Sequence, residues 1–193
     1  MVLFRATLRT SVGPMLALAS DAALCALEFD SGSRMTRLEA RLDQFYGSPR
    51  LVSTTNDVHL RTQAWLDRYF AGEPLPSLPD FDARGTPFET TVWNALSAIP
   101  IGTTTSYGRI AMQVAGTRAA SRAVGLSNGA NPIAIIVPCH RVIGSNGTLT
   151  GYGGGLNRKQ WLLEHEERYW PTDSSLSRVS RESRQQRLEL DPA

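Results

Sequence analysis

The sequence predicts a mixed α/β (α+β) fold, in which a small sheet with helices precedes a mostly helical second part. Three features predict this class. Short apolar stretches bounded by turn residues fill the first 30 residues, whereas apolar residues at helical spacing dominate the rest of the chain to about residue 170. A proline-rich stretch separates the two parts. One continuous apolar run, Pro132–Val137, predicts a short strand buried on both faces within the helical part.

Three strands are predicted at the N-terminus, over Val2–Arg9, Met15–Ala19 and Leu24–Phe29. The turn sequences Ser11–Pro14 and Asp21–Ala22 separate them. Because the connections are short, we expect the strands to pair as an antiparallel meander.

Two helices are predicted next, because apolar residues recur at helical spacing from Leu38 to Phe45 and again from Leu60 to Phe70. We expect both helices to cover one face of the sheet. The stretch Gly72–Pro87 is rich in proline and poor in periodic apolar residues, which is typical of a linker. We therefore divide the chain into an N-terminal α/β domain, residues 1–80, and a second domain, residues 81–170.

The second domain is predicted to begin with a helix over Pro87–Ala98, with proline in its first turn. Two shorter helices, Ser106–Val114 and Arg118–Ser127, are joined by a glycine-containing turn. This is the outline of a helix-turn-helix, although many helix pairs in protein cores look the same.

A last helix is predicted over Asn157–Tyr169, with Trp161, Leu162 and Leu163 facing inward. Beyond it, residues 171–193 are rich in serine, arginine, glutamine and glutamate, a composition typical of a disordered tail.

Composition and charge narrow the functional classes. The net charge of +2 with 20 lysines and arginines permits a positive face toward nucleic acid without requiring one. Cys25 and Cys139 lack the spacing of a zinc site or a disulfide framework, which predicts free thiols in a reducing cytoplasm. No apolar run approaches the roughly 20 residues of a membrane helix. The Gly151–Gly155 cluster lacks the Lys-Ser/Thr ending of a phosphate loop, so we predict no nucleotide cofactor.

Cys139 and His140 are the candidate reactive pair, since a neighbouring imidazole can activate a thiol. Taken alone, the pair fits a packed core cysteine better than a reactive one. Neighbouring side chains of a strand point to opposite faces, so a contact between them needs a backbone bend or a bridging water. A carboxylate from the run Glu164, Glu166 and Glu167 is able to return and orient the imidazole, and spacing does not say which.

Residues 87–167 closely resemble the catalytic domain of the O6-alkylguanine-DNA alkyltransferase family. The resemblance rests on a Pro-Cys-His-Arg-Val motif after an apolar run and on further matches in the same order. These matches are Ser106-Tyr107, Arg122-Ala123-Val124-Gly125, Asn131-Pro132, Pro138-Cys139-His140-Arg141-Val142, Gly151-Tyr152 with Gly153-Gly154-Gly155, and Trp161-Leu162-Leu163 before Glu166. Weaker matches extend it over most of residues 1–170 and imply a ribonuclease H-like first domain.

The resemblance implies a single-use reaction. Cys139 would accept the alkyl group from O6-alkylguanine in double-stranded DNA, His140 would remove the thiol proton through a water, and Glu166 would hold the imidazole. Asn131 would brace the turn before the reactive segment. Tyr107 would donate a hydrogen bond to the leaving guanine.

The resemblance also implies contacts to DNA and no cofactor or metal. Arg122 would fill the gap left by a flipped nucleotide, and Tyr107 and Ser145 would contact the DNA. The implied substrate pocket consists of Val142, Tyr152, Gly153 and Gly154. Some family members have serine after the active-site tyrosine, whereas Gly153 leaves only a backbone N–H there. The sequence leaves open whether O4-alkylthymine is accepted and whether copies self-associate cooperatively on DNA.

Two other functional classes remain compatible with the sequence. Alkyltransferase-like proteins bind such lesions without reacting, but they replace the acceptor cysteine that this chain keeps. A cysteine hydrolase using Cys139, His140 and Glu166 would leave Arg122 and the helix-turn-helix outline without a role. Individually, Tyr107, Arg122 and Asn131 also fit ordinary structural positions.

Overall fold

A four-stranded sheet forms the N-terminal part of the protein. The computed structural model describes residues 1–30 and 32–172. Strands β1 (Val2–Leu8), β2 (Met15–Ala19) and β3 (Leu24–Phe29) form the expected antiparallel meander. A fourth strand, β4 (Arg50–Val52), pairs in parallel with β1, so the order is β3-β2-β1-β4. The sequence did not predict β4, because three residues are too short to establish a period of two.

The two helices of this part lie on opposite faces of the sheet. Helix α1 (Gly32–Tyr46) packs over Leu16 and Leu18, whereas α2 (Asp57–Ala71) packs on the side of Met15 and Ala17. The expectation that both helices cover one face is therefore wrong. The reason is visible in β2 and β3, where every residue is buried, since each strand presents apolar side chains to both sides.

Local capping explains where several helices begin and end. Asn56 caps α2 through a hydrogen bond from the His59 backbone N–H, and Gly72 ends the helix in the left-handed region, with φ at 71°. Helix α3 (Pro87–Ser97) begins with a capping box between Thr86 and Glu89. These boundaries lie close to those predicted from the sequence.

The second part consists mainly of four helices, of which α3 is the first. Helix α4 (Tyr107–Ala115) is followed by a 3₁₀ turn (Arg118–Ala120) and α5 (Ser121–Gly129), and α6 (Leu156–Tyr169) ends the described chain. Short parallel strands β5 (Thr105–Ser106) and β6 (Val142–Ile143) join the start of α4 to the segment that follows Cys139. No helix within residues 1–30 and 32–172 is long and apolar enough to cross a membrane.

Trp161 does not face inward as predicted. Its side chain remains 37% exposed and stacks on the His165 ring, with the ring centroids 4.9 Å apart. Leu162 and Leu163 are buried as predicted, and they share the inward side of α6 with Lys159, His165 and Glu166. The predicted tail over residues 171–193 lies outside the described residues from 173 onward.

The apolar run Pro132–Val137 is buried, but it is not the predicted strand. Only Ile133 forms a bridge, to Leu27 of β3. The Val137 N–H then donates to the Ile133 carbonyl at 3.0 Å, and Ile135 adopts a φ of 71°. An apolar run indicates burial on all sides, and a compact turn satisfies that as well as a strand does when its backbone groups find partners.

The edge of β3 that faces away from β2 joins the two parts of the chain. The Leu24 N–H donates to the Asp80 carbonyl in the linker at 2.9 Å, and the Leu27 N–H donates to the Pro132 carbonyl at 2.8 Å. The larger apolar core contains residues of both parts, among them Phe29 and Leu96. The division near residue 80 stays a prediction, and residues 132–134, a few positions before Cys139, bond directly to the N-terminal sheet.

Candidate active site

Cys139 begins a 3₁₀ turn (Cys139–Arg141) directly after Pro138, and its side chain is only 5% exposed. Burial raises the pKa of the thiol, while a hydrogen bond from Asn131 and the positive charge of Arg34 act in the opposite direction. Because burial dominates, the resting group is a neutral thiol. It therefore needs a base before it can act as a nucleophile.

Asn131 is buried and connects the turn to the sulfur. Its side-chain N–H groups donate to Cys139 Sγ at 3.1 Å and to the Val137 carbonyl at 2.8 Å, while its side-chain oxygen accepts from the Ile133 N–H at 3.0 Å. The Asn131 side chain thus supplies hydrogen bonds to backbone groups of the turn that a neighbouring strand would otherwise satisfy. The family resemblance implied that Asn131 braces the turn, but it did not imply the contact to the sulfur.

His140 lies against Glu166, with 2.8 Å between His140 Nε2 and Glu166 Oε1. Burial lowers the pKa of the imidazole, although the Glu166 charge opposes that shift, so the ring is neutral. Since a carboxylate only accepts, the network assigns the ring proton to Nε2 and leaves the lone pair on Nδ1. Nδ1 is buried without a hydrogen-bond partner in the described part of the chain. His140 therefore has a free acceptor.

The Glu166 carboxylate receives donors from four residues. Besides His140, Arg141 donates through Nε and Nη2 at 2.8 and 2.9 Å, the Tyr69 hydroxyl donates at 2.8 Å, and the Gly102 N–H donates at 3.2 Å. Burial alone would raise the pKa of this carboxyl, but His140 and Arg141 hold it far below its usual range. Of the three candidate glutamates, Glu166 is the one in contact with His140. The sequence missed Arg141 and Tyr69 as partners.

Tyr107 is the first residue of α4 and borders an open cleft of about 810 Å³. Its hydroxyl donates to the Thr150 carbonyl at 3.1 Å, and burial raises the pKa of the phenol, which keeps it a donor. Ser145, exposed on the loop after β6, lines the same cleft together with Arg109 and Arg118. The structure thus brings Tyr107 and Ser145 together.

Arg122 is the second residue of α5 and is exposed. It is not among the residues that line the cleft, and it forms no hydrogen bond or ion pair within residues 1–30 and 32–172. Its guanidinium is therefore available to a partner.

Within the described residues, no three His, Cys, Asp or Glu side chains group together as a metal site.

The four predicted pocket residues occupy β6 and the loop before α6. Val142 is fully buried, and its carbonyl accepts a hydrogen bond from Lys159 Nζ at 2.6 Å. The Tyr152 hydroxyl is buried without a partner among the described residues. A Cβ at Gly154 would lie 2.6 Å from the Phe29 ring, which explains the absence of a side chain there.

Gly153 makes room for an arginine of the N-terminal part. A Cβ at this position would lie 1.4 Å from Nη1 of Arg34 on α1. Arg34 forms a buried ion pair with Glu28 and donates to the Asn131 carbonyl at 3.3 Å. One arginine therefore contacts both segments that flank Cys139, and no local sequence pattern predicted it.

Gly153→Ala is expected to lower the free energy of unfolding by about 1–3 kcal/mol, because the methyl group must displace a buried, paired guanidinium. Urea denaturation measures the change. In an Arg34→Met background the same substitution should cost less, since the obstructing group is gone. Gly108→Ala on α4 is the control, because its Cβ would come no nearer than 3.8 Å to another residue, an ordinary van der Waals distance. Equal losses in both backgrounds would contradict the steric explanation.

Comparison with known proteins gives consistent matches. A family model described as the DNA-binding domain of 6-O-methylguanine DNA methyltransferase matches residues 87–168. The methylated-DNA–protein-cysteine methyltransferase of Mycobacterium tuberculosis is 60% identical over 111 residues, covering 58% of this chain and 67% of the relative. The protein of the same name from Salmonella typhimurium is 47% identical over 163 residues, covering 81% of this chain and 91% of the relative.

Solved structures agree over nearly the whole described chain. Mycobacterium tuberculosis OGT in complex with DNA has a TM-score of 0.71 and 42% identity, covering 90% of this chain and 98% of that one. The O6-methylguanine-DNA methyltransferase of Pyrococcus kodakaraensis has a TM-score of 0.59 and 26% identity, covering 86% and 99%. The mixed fold predicted from the sequence is thereby confirmed.

Proposed function

This chain belongs to the methylated-DNA–protein-cysteine methyltransferase family, and on that premise we propose that it repairs duplex DNA by moving the alkyl group of O6-alkylguanine irreversibly onto Cys139. One observation carries the proposal for this chain. A buried thiol directly precedes a neutral imidazole that Glu166 orients and that keeps one nitrogen free. Such a group accepts a proton, after which the sulfur is able to attack.

The reaction is an in-line displacement at the alkyl carbon. The thiol proton passes to His140 Nδ1 through a bridging water, and the thiolate forms a bond to carbon as the bond from carbon to O6 breaks. The electron pair of that bond goes to the guanine, which is stabilised by a hydrogen bond from Tyr107 or from the Gly153 N–H. Cys139 becomes a thioether, and because dealkylating a thioether has no easy route, each molecule acts once.

Groups around the sulfur support the thiolate when it forms. The Asn131 N–H donates to Sγ at 3.1 Å, and the charges of Arg34 and Lys159 lower the pKa of the thiol against the dominant effect of burial. The donor and the charges are in place before reaction, so they require little reorganisation. Burial meanwhile keeps the thiol unreactive until the substrate arrives.

We infer that the damaged nucleotide leaves the base stack, since a stacked base cannot present O6 to a thiol that is 5% exposed. Helices α4 and α5 would serve as a helix-turn-helix, with α5 approaching the minor groove. Small residues such as Ala119 and Ala123 allow close approach but provide few groups for reading bases. Arg122 would occupy the gap in the duplex, and Tyr107 and Ser145 would contact the strand along the cleft.

The deciding experiment is incubation with a duplex that contains one O6-methylguanine, followed by intact and peptide mass measurement. We expect one methyl group on the Cys139 peptide. Binding with no methyl transfer would instead indicate a non-reacting lesion-binding protein, and turnover of an acyl substrate with recovery of the thiol would indicate a cysteine hydrolase. A second duplex carrying O4-methylthymine tests the wider substrate range.

Arg122→Ala is expected to slow transfer from duplex DNA by about 10- to 100-fold, because extrusion of the base loses a group that keeps the stack open. Transfer from free O6-methylguanine base should be unchanged, since nothing needs to be extruded. Single-turnover rates on both substrates measure the difference. Arg61→Ala on α2 removes the same charge elsewhere as a control, and equal losses on both substrates for Arg122→Ala would refute the flipping role.

A cytoplasmic location is proposed on chemical grounds. Cys25 and Cys139 are both free thiols, and the reaction requires Cys139 to be reduced. Cooperative self-association on DNA stays a prediction, which the dependence of binding on DNA length would test.

A further inference from the structure

The N-terminal part of the chain reaches the catalytic carboxylate through one side chain. The Tyr69 hydroxyl, on α2, donates to Glu166 Oε1 at 2.8 Å. The same oxygen lies 2.8 Å from His140 Nε2 and 2.9 Å from Arg141 Nη2. In the described part of the chain, the remaining donors to this carboxylate all belong to the second half.

Tyr69 has little freedom to move away from Glu166. Its ring is fully buried between Trp65 and Trp170, with centroid distances of 5.5 and 5.7 Å and interplanar angles of 13° and 18°. Its backbone carbonyl lies 2.7 Å from Nε2 of His165, the residue before Glu166. Burial, followed by the Glu166 charge, raises the pKa of the phenol well above its usual value. The hydroxyl therefore remains a fixed, protonated donor.

We propose that Tyr69 is a positioning residue for alkyl transfer, whose hydroxyl limits how strongly Glu166 Oε1 attracts the Nε2 proton of His140. The inference rests on the proposed function, in which His140 accepts the proton of Cys139. A donor to a carboxylate oxygen disperses its negative charge. With fewer donors, the same oxygen would stabilise the charged imidazolium more strongly, and His140 would become charged at a higher pH.

The other groups around His140 define what the experiment must hold constant. Glu166 raises the pKa of the imidazole, while Arg141 and Lys159 lower it, and burial lowers it most. Cys139, the residue directly before His140, also carries a titratable thiol. Tyr69→Phe leaves all of these groups in place and removes one hydrogen bond.

The test is the pH dependence of single-turnover transfer by Tyr69→Phe, measured on a duplex that contains O6-methylguanine. Because His140 must be neutral to accept a proton, a raised pKa shifts the acid limb of the profile to higher pH. We expect a shift of roughly one pH unit. Tyr46→Phe is the matched control, since the Tyr46 hydroxyl donates to the Asp82 carbonyl, away from His140. Its acid limb should not move.

Two further measurements separate this inference from its premises. Nitrogen NMR of His140 without DNA should show the same rise in the pKa of the imidazole for Tyr69→Phe. Because no alkyl transfer takes place in this measurement, its result does not depend on the proposed function. Site-specific 3-fluorotyrosine at position 69 keeps the shape of the ring but is a stronger donor, so its acid limb should move to lower pH even if Tyr69→Phe folds poorly. An unchanged limb and an unchanged His140 titration in a folded variant would overturn the proposal and leave Tyr69 a purely structural residue.

Discussion

Cys139→Ala is expected to abolish alkyl transfer completely while leaving binding to a duplex with O6-methylguanine close to that of the parent protein. The substitution removes the proposed nucleophile, whereas the proposed DNA contacts of Arg122 and Tyr107 remain. Stability should fall by only about 1 kcal/mol, because a single hydrogen bond from Asn131 to the sulfur is lost. Intact mass after incubation measures transfer, and fluorescence anisotropy of a labelled duplex measures binding.

Cys25→Ala is the matched control for this experiment. Cys25 lies in a separate apolar cluster, on the α1 face of the sheet, whereas Cys139 belongs to the core shared by both parts of the chain. It is therefore unable to replace Cys139, and its variant should accept one methyl group as before. Methylation that persists in Cys139→Ala would disprove the assignment of the acceptor.

Glu166→Gln is expected to produce the largest combined loss of stability and rate. The carboxylate is 1% exposed and pairs with the buried Arg141, which would be left without a counter-charge. Breaking one side of such a pair costs about 3–5 kcal/mol. Transfer should also slow by about 100-fold or more, because His140 loses the group that orients its ring. Urea denaturation and single-turnover kinetics measure the two effects.

The pH dependence of this stability difference has a defined sign. Folding lowers the pKa of Glu166, so its contribution is present above the unfolded pKa of about 4.3 and is lost as the pH falls toward the folded value. The gap between parent and variant should narrow on acidification below about pH 4. Glu164→Gln is the control, because Glu164 is only partly buried and accepts a hydrogen bond from Gln160, one turn earlier in α6. A variant of Glu166 as stable as that control would contradict the buried network of Glu166, His140 and Arg141.

Local rules explain which parts of the fold were predictable from the sequence. The meander follows from turn residues between short apolar strands, and the start of α3 follows from Thr86 and Pro87. Helical spacing also agrees with the identity of the carboxylate that contacts His140. Glu166 follows Leu162 by four residues and Leu163 by three, so it shares their buried face of α6, although spacing alone had left Glu164 and Glu167 open as well.

The remaining features depend on contacts between distant residues. The turn over residues 132–137 exists because the Asn131 side chain satisfies its backbone, and an apolar run contains no information about that partner. Tyr69 and Glu166 are 97 positions apart, and so are Arg34 and Asn131. Neither contact has a local pattern, which is why Tyr69 and Arg34 were missed.

The edge of β3 also limits how this protein can be divided. The matched DNA-binding domain spans residues 87–168, yet Arg34 and Tyr69, which hold the surroundings of Cys139 and Glu166, lie outside it. A chimera that borrowed only the C-terminal half would inherit Cys139 and His140, the proposed nucleophile and its proposed base. It would lack Arg34 and Tyr69, which contact Asn131 and Glu166 beside that pair. The smallest unit that can be transplanted therefore includes the N-terminal sheet and its helices.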